Sequence, residues 1–129
     1  KVLKFIDEVK VKYKLKNSQI CLSGFSQGCM MSINLGLISN ENYNCIVGFS
    51  GKIINQEDLQ KRKISSTKML LLHGDLDTVV SPTFLLEAKD FLIRNKIEIA
   101  TNMIKNCEHN IPVEASSISL DYIKNNFKI

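Results

Sequence analysis

Histidine and proline are both scarce, with two of each in 129 residues. Nothing resembles a proline/glycine-rich linker, an internal repeat or a low-complexity segment, so residues 1–129 are expected to form one domain, long enough for a hydrophobic core. No apolar run approaches the length that crosses a bilayer as a helix, and no signal-peptide pattern opens the chain. CxxC spacing is missing from the four cysteines, Cys21, Cys29, Cys45 and Cys107, which removes the usual zinc and dithiol-redox motifs. Cys21 and Cys45 lie inside apolar runs, where a thiol acts as a small hydrophobe. Free thiols in a reducing, cytoplasmic setting are expected. The formal net charge is +4, but it is nearly all lysine, scattered among Asn and Ile with no aromatic-interleaved stripe. That pattern reads as solvated surface, and nucleic-acid binding is not expected.

What is present is an alternation of short apolar runs with helical periodicity, the signature of βαβ units and a parallel sheet. Val2, Ile6, Val9 and Tyr13 recur at helical spacing and predict a first helix. The alternation from Val9 to Leu15 would also suit a strand, but the helical pattern is longer. Strands are predicted at 19–23, 44–50, 68–73 and 97–104. The third is a leucine-rich run typical of a strand covered on both faces. Residues 27–39 are apolar on nearly every side and predict a buried helix. Ser81 and Pro82 supply an N-cap and first helical residue for another helix, and Pro112 opens the last. The expected architecture is α/β: four parallel strands with helices on both faces.

Gly24-Phe25-Ser26-Gln27-Gly28 is a GxSxG sequence placed directly after a predicted strand and before a predicted helix. A serine on so tight a turn needs small neighbours on both sides, and the turn lifts its hydroxyl clear of the sheet. The backbone N–H of Gln27, at the positive end of the helix, is then aimed at a developing oxyanion. A serine hydroxyl is not ionised near neutral pH and needs a base, which in turn needs an orienting acid. Of the two histidines, only His109 lies downstream of a candidate acid, the chain order this chemistry takes on α/β sheets. Asp75 and Asp77, in the loop after the third strand, both qualify as that acid. Together with His73 they also suggest metal ligands, but no convincing fourth ligand accompanies them.

These pieces, in this order, resemble the phospholipase/carboxylesterase family of α/β-hydrolases, the branch that includes the acyl-protein thioesterases. The segment 23–28 is similar to the family's nucleophile elbow, and Ser50-Gly51 to the SG pair after its next strand. His73-Gly74-Asp75-Leu76-Asp77-Thr78-Val79-Val80 is similar to HG-x-x-D-x-V-V, which implies Asp77 as the acid and His73 as structural. Glu108-His109-Asn110-Ile111 with Glu114 is similar to GH-x-[IV] followed by a glutamate. Two departures stand out: Cys29 and Glu108 replace glycines.

The resemblance implies a hydrolase of carboxylic esters or thioesters that needs no metal or cofactor. Ser26 would be the nucleophile, His109 the base and Asp77 the orienting acid, with the Gln27 N–H in the oxyanion hole. Family members carry further strands and an HG-x-G loop ahead of the elbow, so the expected fold is an α/β-hydrolase lacking its N-terminal strands. The alternative is a remnant that folds or associates without turnover. A dienelactone-hydrolase-like enzyme fits less well, since that family uses cysteine where Ser26 stands. The exposed edge of the 19–23 strand, apolar and without Lys or Pro, is expected to pair with a second copy, a separate N-terminal piece or a rearranged segment of the chain.

Overall fold

A computed structural model describes residues 1–129. Its elements, in chain order, are α1 (Val2–Tyr13), a 3₁₀ turn (Asn17–Gln19), β1 (Cys21–Phe25), α2 (Gln27–Ile38), β2 (Cys45–Phe49), α3 (Gln56–Gln60), β3 (Met69–Gly74), α4 (Thr83–Arg94), β4 (Ile99–Ile104) and α5 (Val113–Phe127). The four strands form one sheet in the order β1-β2-β3-β4, and each neighbouring pair is parallel. Parallel neighbours need a crossover, and α2, α3 and α4 supply one each.

Side-chain alternation along the central strands sorts the core into two layers. Ile46, Met69 and Leu71 face one way and pack with Ile33 and Leu37 of α2 and Leu85, Phe91 and Leu92 of α4. Val47, Leu70 and Leu72 face the other way, against Ala115, Ile118, Tyr122 and Ile123 of α5. The result is three layers, α/β/α. Full burial of such side chains contributes about 1.5–3 kcal/mol each, and β2 and β3 are buried along nearly their whole length.

The edges are less well covered. β1 hydrogen-bonds only to β2 and is half-exposed. In α1 only Ile6 is buried, while Phe5 and Tyr13 are 63% and 61% exposed.

Several local expectations shift, among them the fourth strand, which begins at Ile99 rather than at residue 97. The first strand begins at Cys21, two residues late, and runs through Phe25. Residues 17–19 are held in a turn: the Lys16 N–H donates to Gln19 Oε1 at 2.9 Å, and the Asn17 amide donates to Ser39 Oγ at 3.2 Å and the Glu41 carbonyl at 3.1 Å. Those Asn17 partners are distant in sequence, so no local pattern reveals them. Helix α3, anchored by the buried Leu59, had no periodic signal long enough to predict it. Helix α4 starts at Thr83, one residue later than expected, with Pro82 in the N-cap place, while Ser81 Oγ accepts the Thr83 N–H at 3.3 Å.

Candidate functional site

Ser26 is the single residue between the end of β1 and the start of α2. Its φ of 56° and ψ of −114° lie where few non-glycine residues are found, a conformation that costs about 1–3 kcal/mol. Hydrogen bonds hold it there: the Ser26 N–H donates to the Phe49 carbonyl at 2.7 Å, and the Met30 N–H donates to the Ser26 carbonyl at 3.1 Å.

The two glycines of the motif are not equivalent. A Cβ on Gly24 would sit 2.2 Å from the backbone carbonyl carbon and oxygen of Gly28, so only glycine fits. A Cβ on Gly28 would meet nothing within 4 Å. The small-neighbour requirement therefore holds on one side of Ser26 only, because position 24 points into the first turn of α2 and position 28 into open space.

The loop after β4 brings His109 to the serine, with Nε2 3.0 Å from Ser26 Oγ. Its Nδ1 lies 2.7 Å from Asp77 Oδ2. A carboxylate accepts only, so Nδ1 carries the proton and Nε2 presents its lone pair to the Ser26 hydroxyl. The Asp77 side chain is fully buried, and its other oxygen, Oδ1, accepts the N–H groups of Val79 and Val80, both at 2.9 Å. Burial by itself would raise the Asp77 pKa. The His109 hydrogen bond, the two backbone donors and the His109 charge outweigh it and hold the carboxyl below its ordinary value.

Asp75 does a different job. Its Oδ1 accepts the Cys107 N–H at 3.3 Å, while the Leu76 N–H donates to the Cys107 carbonyl at 2.9 Å. Asp75 thus ties the β3 loop to the His109 loop and leaves the imidazole to Asp77. His73 is buried at the end of β3, and its Nε2–H donates to the Val80 carbonyl at 2.8 Å. The same nitrogen is 3.4 Å from Asp77 Oδ2, so His73 braces the loop that presents the carboxylate.

Outside this hydrogen-bond chain, Cys29 Sγ sits against the backbone of Gly48 and Gly51. Burial pushes its thiol up to about 12, against a hydrogen bond from the Gly51 backbone. The Cys107 thiol points at oxygens of Glu108 and Asn110 at 3.4–3.5 Å, and burial raises its pKa too.

Phe25 was not singled out in the sequence. Its ring lies 4.8 Å from the His109 imidazole at 46°, a tilted contact that limits where the imidazole can swing. Its place beside the serine in the motif was the only signal. Gln27 opens α2, where the first N–H groups have no helical acceptor, and it is exposed.

Two cavities bordering His73, one against Phe49 and Ser50 and the other against Cys29 and Gly51, are about 10 Å³ each, and neither is lined by Ser26, Asp77 or His109. Each has room for about one water and no acyl chain. The largest groove, about 610 Å³, is lined by Lys52, Phe84, Glu87, Asp90 and Arg94 among others and includes none of Ser26, Asp77 and His109. No helix is long and apolar enough to cross a membrane.

Comparison with known proteins places this geometry in context. The family model described as Phospholipase/Carboxylesterase matches residues 1–126. Acyl-protein thioesterase 1 of Yarrowia lipolytica is 28% identical over 117 residues, covering 86% of this chain and 51% of that protein. The crystal structure of esterase PE8 superposes with a TM-score of 0.92 at 30% identity, covering 95% of this chain and 57% of that one. Acyl-protein thioesterase 2 of Zea mays shares the fold at 21% identity and a TM-score of 0.69, over 81% of this chain and 54% of that one. The chain thus spans about half the length of these relatives. It has the α/β-hydrolase fold, and it belongs to the phospholipase/carboxylesterase family.

Proposed function

We propose that this chain is a serine hydrolase, or the catalytic-residue-bearing part of one, that cleaves carboxylic esters or thioesters without a cofactor. The supporting observation is the unbroken hydrogen-bond chain from Ser26 through His109 to Asp77, at 3.0 and 2.7 Å. Ser26 Oγ attacks the acyl carbonyl as His109 Nε2 takes its proton. Asp77 holds the imidazole in the productive tautomer and stabilises its positive charge. The Gln27 N–H donates to the oxyanion. His109 then protonates the departing alcohol or thiol, and water, activated by the same imidazole, releases the acid from the acyl-enzyme. The names of the relatives favour thioesters of acylated proteins and carboxylic esters as substrates, and the free thiols favour the cytoplasm as the setting.

A fluorophosphonate probe tests this, since only an activated serine reacts. Labelling at Ser26, lost on Ser26→Ala, is expected. A folded protein that saturating probe does not label would overturn it. The second reading, a remnant without turnover, draws on the single oxyanion donor identified. Loss of one such donor costs about 10²–10³ in turnover, so slow hydrolysis with normal labelling would mark an impaired enzyme rather than an inert one.

We also propose that residues 1–129 act as one domain whose β1 edge takes a further strand, from a second copy, a separate N-terminal piece or a rearranged segment of the chain. The side of β1 that faces away from β2 has no strand partner, which supports this. Light scattering after size-exclusion chromatography tests it. A monomer unaffected by Leu22→Lys would refute it.

A further inference from the structure

A pair of thiols lies outside the hydrolase site. Cys21 and Cys45 are register partners at the starts of β1 and β2. Alternation turns both towards α5. Cys21 packs on the apolar cluster beneath that helix, and Val47 and Phe49, which alternate in phase with Cys45, belong to the same cluster. Neighbouring strands run about 4.8 Å apart, within the Cα separation of roughly 4.4–6.8 Å that a disulfide spans. Access is one-sided: Cys45 is fully buried, while Cys21 is partly exposed on the open edge strand.

Their surroundings are unusual for an apolar layer. The Tyr122 hydroxyl, carried by α5, is buried with no hydrogen-bond partner. Burial raises its pKa, and the charges of Cys45, Glu98 and Cys21 add to the rise, which places both sulfurs near the phenol. The two thiols are perturbed in opposite directions. The Cys21 thiol donates to the Leu22 carbonyl at 3.7 Å; its neighbour Cys45 and burial both raise it. Cys21 in turn lowers Cys45, with burial opposing and Lys68 assisting. Of the two sulfurs, Cys45 is the one whose thiolate the surroundings favour. Cys29 and Cys107, both raised, have no thiol partner of this kind.

We infer that Cys21 and Cys45 form a redox modification site, in which a peroxide small enough to enter at the open edge of β1 converts the pair to a cross-strand disulfide. In the first step the Cys45 thiolate attacks one peroxide oxygen. The O–O bond breaks, Cys45 becomes a sulfenic acid, and hydroxide leaves and is protonated to water. In the second step the Cys21 sulfur attacks the Cys45 sulfur. The S–S bond forms, the S–O bond breaks, and the hydroxyl leaves as water with the Cys21 proton. Two thiols and one hydrogen peroxide give one disulfide and two waters; the sulfurs are oxidised and the peroxide reduced. A thiol reductant reverses the change. The cross-link pins the start of the edge strand that leads into Ser26 and closes the chain between positions 21 and 45, raising the stability of the oxidised form.

The test uses the full chain, reduced, exposed to hydrogen peroxide, then blocked with N-ethylmaleimide and mapped by peptide mass spectrometry. The expected result is a Cys21–Cys45 linked peptide that dithiothreitol removes, with Cys29 and Cys107 still alkylated after unfolding and a higher Tm for the oxidised protein. Cys21→Ser should leave Cys45 as a sulfenic or sulfinic acid without an intramolecular link, and Cys45→Ser should suppress reaction at Cys21. Oxidation of Cys29 or Cys107 ahead of this pair would overturn the inference. So would sulfinic acid at Cys45 without a link in the wild type, or no reaction at either sulfur under conditions that oxidise free cysteine. The wild-type map decides the matter even if a variant fails to fold, and it does not depend on whether Ser26 is catalytic.

Discussion

Replacing Asp77 by asparagine keeps the shape of the side chain but reverses the hydrogen-bond chain. Two backbone donors, Val79 and Val80, meet Asp77 Oδ1 at 2.9 Å, so the amide oxygen must stay on that side. The NH₂ then falls where Oδ2 was, 2.7 Å from His109 Nδ1 and 3.4 Å from the protonated Nε2 of His73. Two N–H groups cannot face each other, so His109 moves its proton to Nε2 and accepts at Nδ1. Nε2 then donates to Ser26 Oγ, 3.0 Å away, and cannot take the serine's proton. Inversion of this tautomer in a well-studied serine protease costs about 10⁴ in kcat, or about 5.4 kcal/mol at 1.36 kcal/mol per tenfold. KM should change little, because the fully buried Asp77 side chain is out of a substrate's reach. The assays are hydrolysis of a p-nitrophenyl ester and ¹⁵N NMR of the His109 ring nitrogens. A variant that keeps turnover within about tenfold of wild type would refute the reasoning, as would one whose proton stays on Nδ1.

Ser26→Ala and His109→Ala should each reduce ester hydrolysis to background, since members of such a unit fail together. Asp75→Ala should cost far less, acting only through the Cys107 N–H it holds at 3.3 Å; steady-state kinetics on both aspartate variants would expose a reversed ranking. Gly24→Ala, whose Cβ overlaps the Gly28 backbone at 2.2 Å, should destabilise by about 3 kcal/mol, the upper end of overpacking effects. Gly28→Ala should be neutral or stabilise by up to about 1 kcal/mol through helix propensity, with urea denaturation measuring both. The lowered pKa of Asp77 gives a pH dependence of definite sign. Its folded value lies below its unfolded one, so its contribution is complete above the unfolded pKa of about 3.9. That contribution fades as pH falls through the folded value. Thermal melts should therefore show the advantage of wild type over Asp77→Asn holding from neutral pH down to about pH 4 and shrinking below it.

Local chemistry was enough to establish much of this protein. Short apolar runs specified four strands, and helical spacing or an apolar run of helical length, with Pro82 and Pro112 at two starts, specified four of the five α-helices, because burial imposes such patterns on any sequence. The strand-GxSxG-helix run marked the turn at Ser26, since only a residue with no Cβ fits at position 24. The order Ser26, then an aspartate, then His109 needed no coordinates.

Other features rest on contacts between residues far apart in the chain. Asp75 and Asp77 are indistinguishable as letters two positions apart, and the family resemblance alone favoured Asp77. The structure separates them, because the turn at Leu76 sends one carboxylate to Cys107 and the other to His109. The late start of β1 depends on Asn17 bonding to Ser39 and Glu41. The freedom at Gly28 depends on which way a Cβ would point off α2. The facing of Cys21 and Cys45 depends on the register of β1 on β2. Local propensity and periodicity act over a few residues, whereas register, loop direction and the meeting of loops are set by the packing of the whole sheet, and those are what only the tertiary structure decided.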